Sequence, residues 1–450
     1  MNVKQIWRRR TAHDGGGSWR RRSSPGRRAV DRIALSRAIT FSGGNAAFLT
    51  LLIVLFDQTH SAGLVAAGFV ASFGVPALAS PVAGLIGDSF DRKRVMIASE
   101  MLGAFCFLLM AVVTPAPVAL ILLRVAASLA AAPFVPASGA ALPRLVSHSE
   151  ELPSANAKIA QAGIIGGLAG PVVAAAILLI ADAQVVFVLN AATFVLSSAL
   201  LMSIPGDFRP ASTDSAESNP SALAAGFQYL KGHRVLRPVT IGYAIIFFGV
   251  GITGPAEVVL SNDFDVGATG LAAMTAIFSI GGLVGARIGA VLAKGNTPPA
   301  VLTSASAALA IGFIAVGAAP LFALVLVGMA VGGAADSVWR VAHEYLVQTE
   351  TPDDVRSRVL AASEAAELAA MTFGFLCAGI AISLTGAAGA FAIGGIGSLI
   401  VFLFFLAKGA RPVRRPIALG ARPLPRRQDA GSLMRPPSRR LAPLADQVTR

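Results

Sequence analysis

The sequence predicts an all-α membrane protein, with twelve transmembrane helices in two pseudo-symmetric six-helix bundles. Three observations predict it. Of the 450 residues, 55% are hydrophobic and only 14% are charged, whereas a soluble domain carries roughly 25% charged residues. Twelve segments reach or approach the length a spanning helix needs, which is ~20 apolar residues. The short loops between them alternate between basic and non-basic, as the two sides of a bilayer require. Mean hydropathy is +0.69.

The segments in order are about 33–55, 64–86, 95–113, 118–137, 159–180 and 185–204, then 239–260, 271–293, 300–317, 321–341, 360–384 and 388–407. Each is read as a helix because a lipid-facing span must satisfy its own backbone hydrogen bonds. Loops 58–63, 114–117, 181–184, 261–269, 318–320 and 385–387 contain no Lys or Arg. The opposite loops hold Arg92, Lys93, Arg94, Arg144, Lys158, Lys231, Arg234, Arg237, Lys294, Arg356 and Arg358. The positive-inside rule then places both termini in the cytoplasm of a multi-pass cell-membrane protein.

Five regions follow. Residues 1–29 form a basic cytoplasmic tail and 30–205 the N-terminal six-helix bundle. Residues 206–237 form a cytoplasmic linker, 238–408 the C-terminal bundle, and 409–450 a basic, Pro-rich disordered tail. Within the linker, Leu223, Phe227 and Leu230 share one face at helical spacing, which suits an interfacial amphipathic helix. The two bundles read as repeats offset by 201, since Leu145-Val146 corresponds to Leu346-Val347 and Gly84 to Gly285. Such repeats place a substrate cavity at their interface, near the midplane.

The formal charge is +13 and the pI near 10.9. The excess sits in the tails, as in Arg8-Arg9-Arg10 and Arg426-Arg427, without interleaved aromatics. That pattern indicates attraction to the lipid bilayer and no nucleic-acid partner. The two cysteines, Cys106 and Cys377, lie inside apolar segments, which excludes a disulfide framework and a multi-cysteine metal site. The polar first thirty residues do not read as a cleavable signal peptide.

The densest chemistry is Gly84-Leu-Ile-Gly-Asp88-Ser-Phe-Asp91-Arg92-Lys93-Arg94. Charge is costly in a bilayer core, so this cluster belongs in a short loop at the membrane surface. Asp88 ends span two at a helix C-terminus, where the dipole disfavours an anion and another group must hold it. Arg124 lies seven residues into span four, where a guanidinium needs a partner or a wet cavity. In span five, Gly166-x-x-x-Gly170 permits close helix approach and Pro171 allows a bend. Asn45 in span one can line a cavity or bridge helices.

In span ten, Asp336, Arg340, His343 and Glu344 lie at i, i+4, i+7 and i+8 on one face. Asp336 and Arg340 can pair within the helix, while His343 and Glu344 are expected to be wet. Glu257 follows Gly254-Pro255, read as a helix break, and is the first candidate for a protonation site, with Asp336 second. Glu100 is a weaker candidate, within snorkelling range of the cytoplasm. Glu364 and Glu367 read as counter-charges for Arg92 or Arg94, or as helix-end acids. No P-loop, metal-ligand spacing or nucleophile beside a base appears, so the chain reads as no enzyme and needs no cofactor beyond a proton gradient.

The loop after span two resembles the signature loop of the major facilitator superfamily of transporters. Gly84, Asp88, Arg92 and Lys93 match that pattern, Ile86 stands in conservatively for a leucine, Ser89 replaces an arginine and Asp91 a glycine. The glycine serves a turn with a permissive backbone, which aspartate is among the few residues to tolerate. Phe-Asp-Arg here looks like the enterobactin-exporter and macrolide-exporter branch, which are drug:proton antiporters. The resemblance implies a latch between Asp88 and the start of span eleven near Leu360; a plain topology signal is the alternative. Leu120-Ile-Leu-Leu-Arg124 resembles the family's proton-coupling motif, with Ala127 and Ser128 departing from it. Gly170-Pro171 with its preceding glycines resembles the antiporter motif, with Ala174 where a final glycine would stand.

Together these imply a monomeric, proton-coupled exporter of a small amphiphilic molecule, such as a drug, antibiotic or siderophore, working by alternating access. Three alternatives stand beside it: an importer or facilitator of the same fold, a lysophospholipid flippase-like member, and a non-transporting scaffold.

Overall fold

Span one opens the chain's helices as α1 (Pro25–Thr59) in a computed structural model that describes residues 25–146, 151–205, 220–295, 297–352 and 355–408. The predicted N-terminal tail ends sooner than expected, because residues 25–29 already belong to α1; residues 1–24, the first half of the linker (206–219) and the C-terminal tail (409–450) lie outside the described residues. Span two is α2 (Ala62–Phe69), a π-helical turn (Val70–Gly74) and α3 (Val75–Ser89). Span three is α4 (Arg92–Val112), and span four is α5 (Pro117–Ala131) followed by α6 (Phe134–Leu145). The break falls at Pro133, which cannot donate a backbone hydrogen bond into a continuing helix. Spans five and six are α7 (Leu152–Leu178) and α8 (Ala183–Met202).

The linker's second half forms α9 (Pro220–Gly232). Spans seven to ten are α10 (Leu236–Asp263), α11 (Gly267–Gly295), α12 (Pro298–Gly317) and α13 (Phe322–Glu350). The last helix, α14 (Arg356–Ala407), runs through spans eleven and twelve with one interruption, Gly386 at φ 72° and ψ 176°. That backbone region is essentially closed to residues with a Cβ. Gly386 therefore makes the turn that the apolar segments predict there, and the total is twelve spans.

In the first bundle α1 packs against α7 and α8, and α4 against α5 and α8. In the second, α10 packs against α14, and α13 against α11 and α12. Gly166 and Gly170 explain the α1–α7 contact. A Cβ on Gly166 would collide with the Ala38 carbonyl, and one on Gly170 would lie 2.6 Å from the Asn45 Cβ and 2.7 Å from the Ser42 carbonyl oxygen. The break expected at Gly254-Pro255 does not occur. α10 runs through Pro255 as a single element, as α7 does through Pro171; helices packed in a bundle tolerate such prolines.

One end of the molecule carries the basic loops; the other is the far end. Every aromatic contact and buried cluster that joins the two bundles among the described residues lies in the half toward the far end. Phe375 of α14 stands 5.0 Å from Phe69 and 6.1 Å from Phe73 across the seam. Val258, Leu271 and Ala272 of the second bundle are buried in the first bundle's core. Gly379 meets the backbone of Gly63 so closely that a Cβ would lie 2.9 Å away. Toward the basic end Leu78 and Val82 of α3 are 80% and 59% exposed. The bundles meet at the far end and part toward the basic end.

Candidate functional site

A cavity of about 210 Å3 lies in the first bundle, where α1, span two, α4, α5, α6 and α8 converge. Its charged and amide groups are Arg37, Glu100, Arg124 and Asn45, and rings including Phe73, Phe107 and Phe194 close the rest. A second space of about 550 Å3 shares Arg37 and Asn45 and extends between α1, α6 and α7 along Ser138, Asn156 and Gly163. Arg37 is about 18 Å along α1 from its start and Glu100 about 12 Å along α4, at 1.5 Å per residue. Both therefore sit well inside the basic half of the molecule.

Each group has a reason to be where it is. The π turn displaces the backbone of span two by one residue relative to a regular helix. Arg124 Nε donates to Ser72 Oγ of that turn at 2.8 Å, and its guanidinium lies 5.9 Å from the Phe107 ring. Ser128 donates to the Ala71 carbonyl of the same turn at 2.7 Å. A proton-coupling arginine would be expected to face an acid; here its recorded partner is a hydroxyl. Arg37 lies over Phe41, 4.1 Å from the ring centroid, and 5.6 Å from Phe134. Glu100 is 3% exposed, with the Ser197 hydroxyl and the Arg37 guanidinium as neighbours. Its Oε2 has no hydrogen-bond partner among the described residues. The expected snorkelling of Glu100 to water is thus corrected: its face of α4 packs on α8, inside the bundle. Asn45 donates to the Phe41 carbonyl at 2.8 Å while its Cβ packs on Gly170, so it both lines the cavity and fills the α1–α7 seam.

The second bundle carries a matching polar core. Asp336 and Arg340 form the i, i+4 ion pair at 3.6 Å. His343, expected to be wet, is buried, because Tyr243 and Trp339 stack at 4.3 Å and cover it. Glu344, one residue on, is exposed. His343 Nδ1 faces Glu367 Oε1 at 3.8 Å. Ser363 Oγ lies 3.4 Å from His343 Nε2 and 3.2 Å from Thr240 Oγ1. Glu367 is therefore no helix-end acid and no counter-charge for Arg92 or Arg94: it is a buried member of this network.

Glu257 joins neither group. It is half-buried beside Val258 at the far-end seam, roughly 21 Å along α10 from Tyr243. The opening motif separates into parts. Gly84 lies within α3, and the side chain of Asp88 lies outside the described residues. Asp91 has φ −57°, so it needs no permissive backbone; it caps α4, its Oδ1 accepting from the Arg94 amide at 3.0 Å. Lys93 Nζ donates to the carbonyls of Met202 at 3.0 Å and Ile204 at 2.7 Å, closing the C-terminus of span six. Arg32 donates to the neighbouring Ser203 carbonyl. Arg92 Nε is buried without a hydrogen-bond partner among the described residues, and Arg94 is exposed.

Arg37 escaped the sequence reading because it follows Arg32, the last of the charges that open α1, by little more than one turn. Its signal was a cation inside an apolar segment, the same signal that marked Arg124.

The family model of the Major Facilitator Superfamily matches residues 33–240 and 239–444. An uncharacterized MFS-type transporter of Bacillus subtilis (strain 168), YfiS, is 25% identical over 390 residues, covering 83% of this chain and 91% of that protein. The enterobactin exporter EntS of Shigella boydii serotype 4 (strain Sb227) is 25% identical over 339 residues, covering 74% and 80%. The crystal structure of the nucleoside transporter NupG superposes with a TM-score of 0.70 at 17% identity, covering 84% of this chain and 98% of that one; at that identity the likeness is one of fold.

Proposed function

The chain belongs to the Major Facilitator Superfamily, and within that family of transporters we propose that it exports a small amphiphilic molecule, of drug, antibiotic or siderophore type, by proton-coupled alternating access. The carrying observation is the first-bundle cavity, where two arginines, a buried carboxylate with one oxygen left without a hydrogen-bond partner among the described residues, and an amide share a pocket with a ring of phenylalanines. Such walls suit a substrate with both an apolar body and a polar or anionic head. The likeness to an enterobactin exporter supports the outward direction.

In this reading the basic end faces the cytoplasm of a cell membrane, with both termini inside. The conformation is then inward-facing: the Phe69–Phe73–Phe375 seam is shut, and substrate enters from the cytoplasm. Glu100 and the His343–Glu367 pair are the proton carriers. Each is buried, is next to a cation or an imidazole, and lies in the half of its bundle toward the cleft. Glu257, at the closed seam, serves the far-end gate. Substrate held by Arg37 and Arg124 competes with the proton on Glu100, so that loading of one favours release of the other.

The test is uptake of a fluorescent amphiphile into everted vesicles, with an imposed proton gradient and with the gradient collapsed by an uncoupler. Uptake is expected to need the gradient and to fall at least tenfold in Glu100→Gln. Uptake that survives the uncoupler would remove the proton from the mechanism.

A further inference from the structure

A groove of about 530 Å3 opens at the basic end of the second bundle, between the linker helix α9, the start of α10 and the end of α14. Its rim carries Lys231, Arg234, Arg237 and Lys408, all exposed. Among the described residues no acid pairs with Lys231, Arg234 or Arg237. Below the rim the walls are apolar, including Ile241, Ile245 and Phe404. His233 is turned away from the role of a fifth cation. Its Nδ1 accepts from the backbone amides of Val235 and Leu236 at 3.3 and 3.1 Å, and its Nε2 faces Glu350 at 3.9 Å.

Four exposed cations above an apolar slot, at the end of the spans that the positive-inside rule places at the cytoplasmic headgroups, match one chemistry. We propose that this groove binds an anionic phospholipid of the inner leaflet, its phosphate among Lys231, Arg234 and Arg237 and an acyl chain along Ile241 and Ile245. The positive end of the α10 dipole points to the same place and adds to the attraction. Lys408 covers the Phe404 ring at 4.4 Å and closes the slot on the α14 side. The transport cavity of the first bundle lies elsewhere, so the lipid is a resident and not a substrate.

Occupancy has a mechanical consequence. α9 is docked on α14 by Gly226, whose missing Cβ leaves room for the Arg358 carbonyl, and on the end of α13 by the Tyr229 hydroxyl, which donates to the Glu350 carbonyl at 3.1 Å. A headgroup held jointly by α9 and α10 fastens the linker to the second bundle, leaving the first bundle free to rock.

The test is native mass spectrometry of the full chain, purified in detergent and titrated with phosphatidylglycerol or phosphatidylcholine. Wild type is expected to retain phosphatidylglycerol preferentially. Lys231→Gln/Arg234→Gln/Arg237→Gln should weaken retention about fivefold per cation, roughly 100-fold in all. Ile245→Trp, which fills the slot and leaves every charge in place, should also abolish it, and inorganic phosphate should not compete. Size-exclusion profiles establish that the variants are folded. Equal retention of both lipids, or full retention by either variant, would overturn the proposal. So would retention that appears only after Asp207, Asp214 and Glu217 of the linker are neutralised, because the linker's own acids would then be the occupant.

Discussion

Replacing Phe375 by alanine should open the far end of the transporter, and the structure sets the size of the effect. The Phe375 ring stands 5.0 Å from Phe69 and 6.1 Å from Phe73, and both contacts cross between bundles that must separate for the far end to open. Aromatic pairs of this kind contribute about 0.5–1.5 kcal/mol each beyond their burial. The two together place about 1–3 kcal/mol on the closed arrangement, or a factor of roughly 5–150 in its population. The reporter is Val258→Cys, at a buried position of the seam, introduced after replacing Cys106 and Cys377 with alanine. Labelling by a membrane-impermeant maleimide from outside intact cells should accelerate 5- to 150-fold when Phe375→Ala is added. An unchanged rate in a protein that still elutes as a single folded species would refute the assignment of this seam as the gate.

Four further outcomes are expected. Glu367→Gln should leave substrate binding within about twofold but abolish proton-driven uptake, measured by equilibrium binding and vesicle transport side by side. Lys93→Gln removes two charge-assisted hydrogen bonds from the end of span six and should cost about 1–3 kcal/mol, seen as a lowered thermal midpoint, with transport per folded molecule preserved; loss of transport at normal stability would make Lys93 a gating residue instead. Asp91→Ala should cost about 1 kcal/mol of helix capping, and Asp91→Gly only a few tenths, again read from thermal unfolding. Gly166→Leu should separate α1 from α7, with overpacking of about 1–3 kcal/mol or more, and lower the yield of monodisperse protein.

The spans were legible because apolar length and loop charge act directly at each position, whatever the neighbours do. The Gly166–Gly170 seam was legible for the same reason: small side chains announce close backbones. What hid was everything decided by facing. His343 and Glu344 are adjacent in sequence, yet one lies under the Tyr243–Trp339 stack and the other faces outward. Glu367 resembled a helix-end acid until the packing of α14 turned it toward α13. Asp91 stood where a glycine was expected, and its role proved to be hydrogen bonding to the next helix rather than backbone freedom. Arg124 stands out in the sequence as a charge in an apolar span, but its partner, Ser72, depends on a π turn that no local residue pattern discloses.

That turn also breaks the symmetry of the molecule. The equivalent stretch of the second repeat, offset by 201, is Leu271–Thr275, and it lies in the unbroken helix α11. A π turn holds one more residue than an α turn and so rotates everything beyond it by about a quarter turn, at the place where Ser72 meets Arg124 and Phe73 meets Phe375. Deleting a single residue from 70–74 would restore a regular helix and separate these two alignments at once. The two bundles thus differ in role at this turn: the half that carries it holds the arginine pocket, and the regular half supplies Phe375, the ring on which it closes.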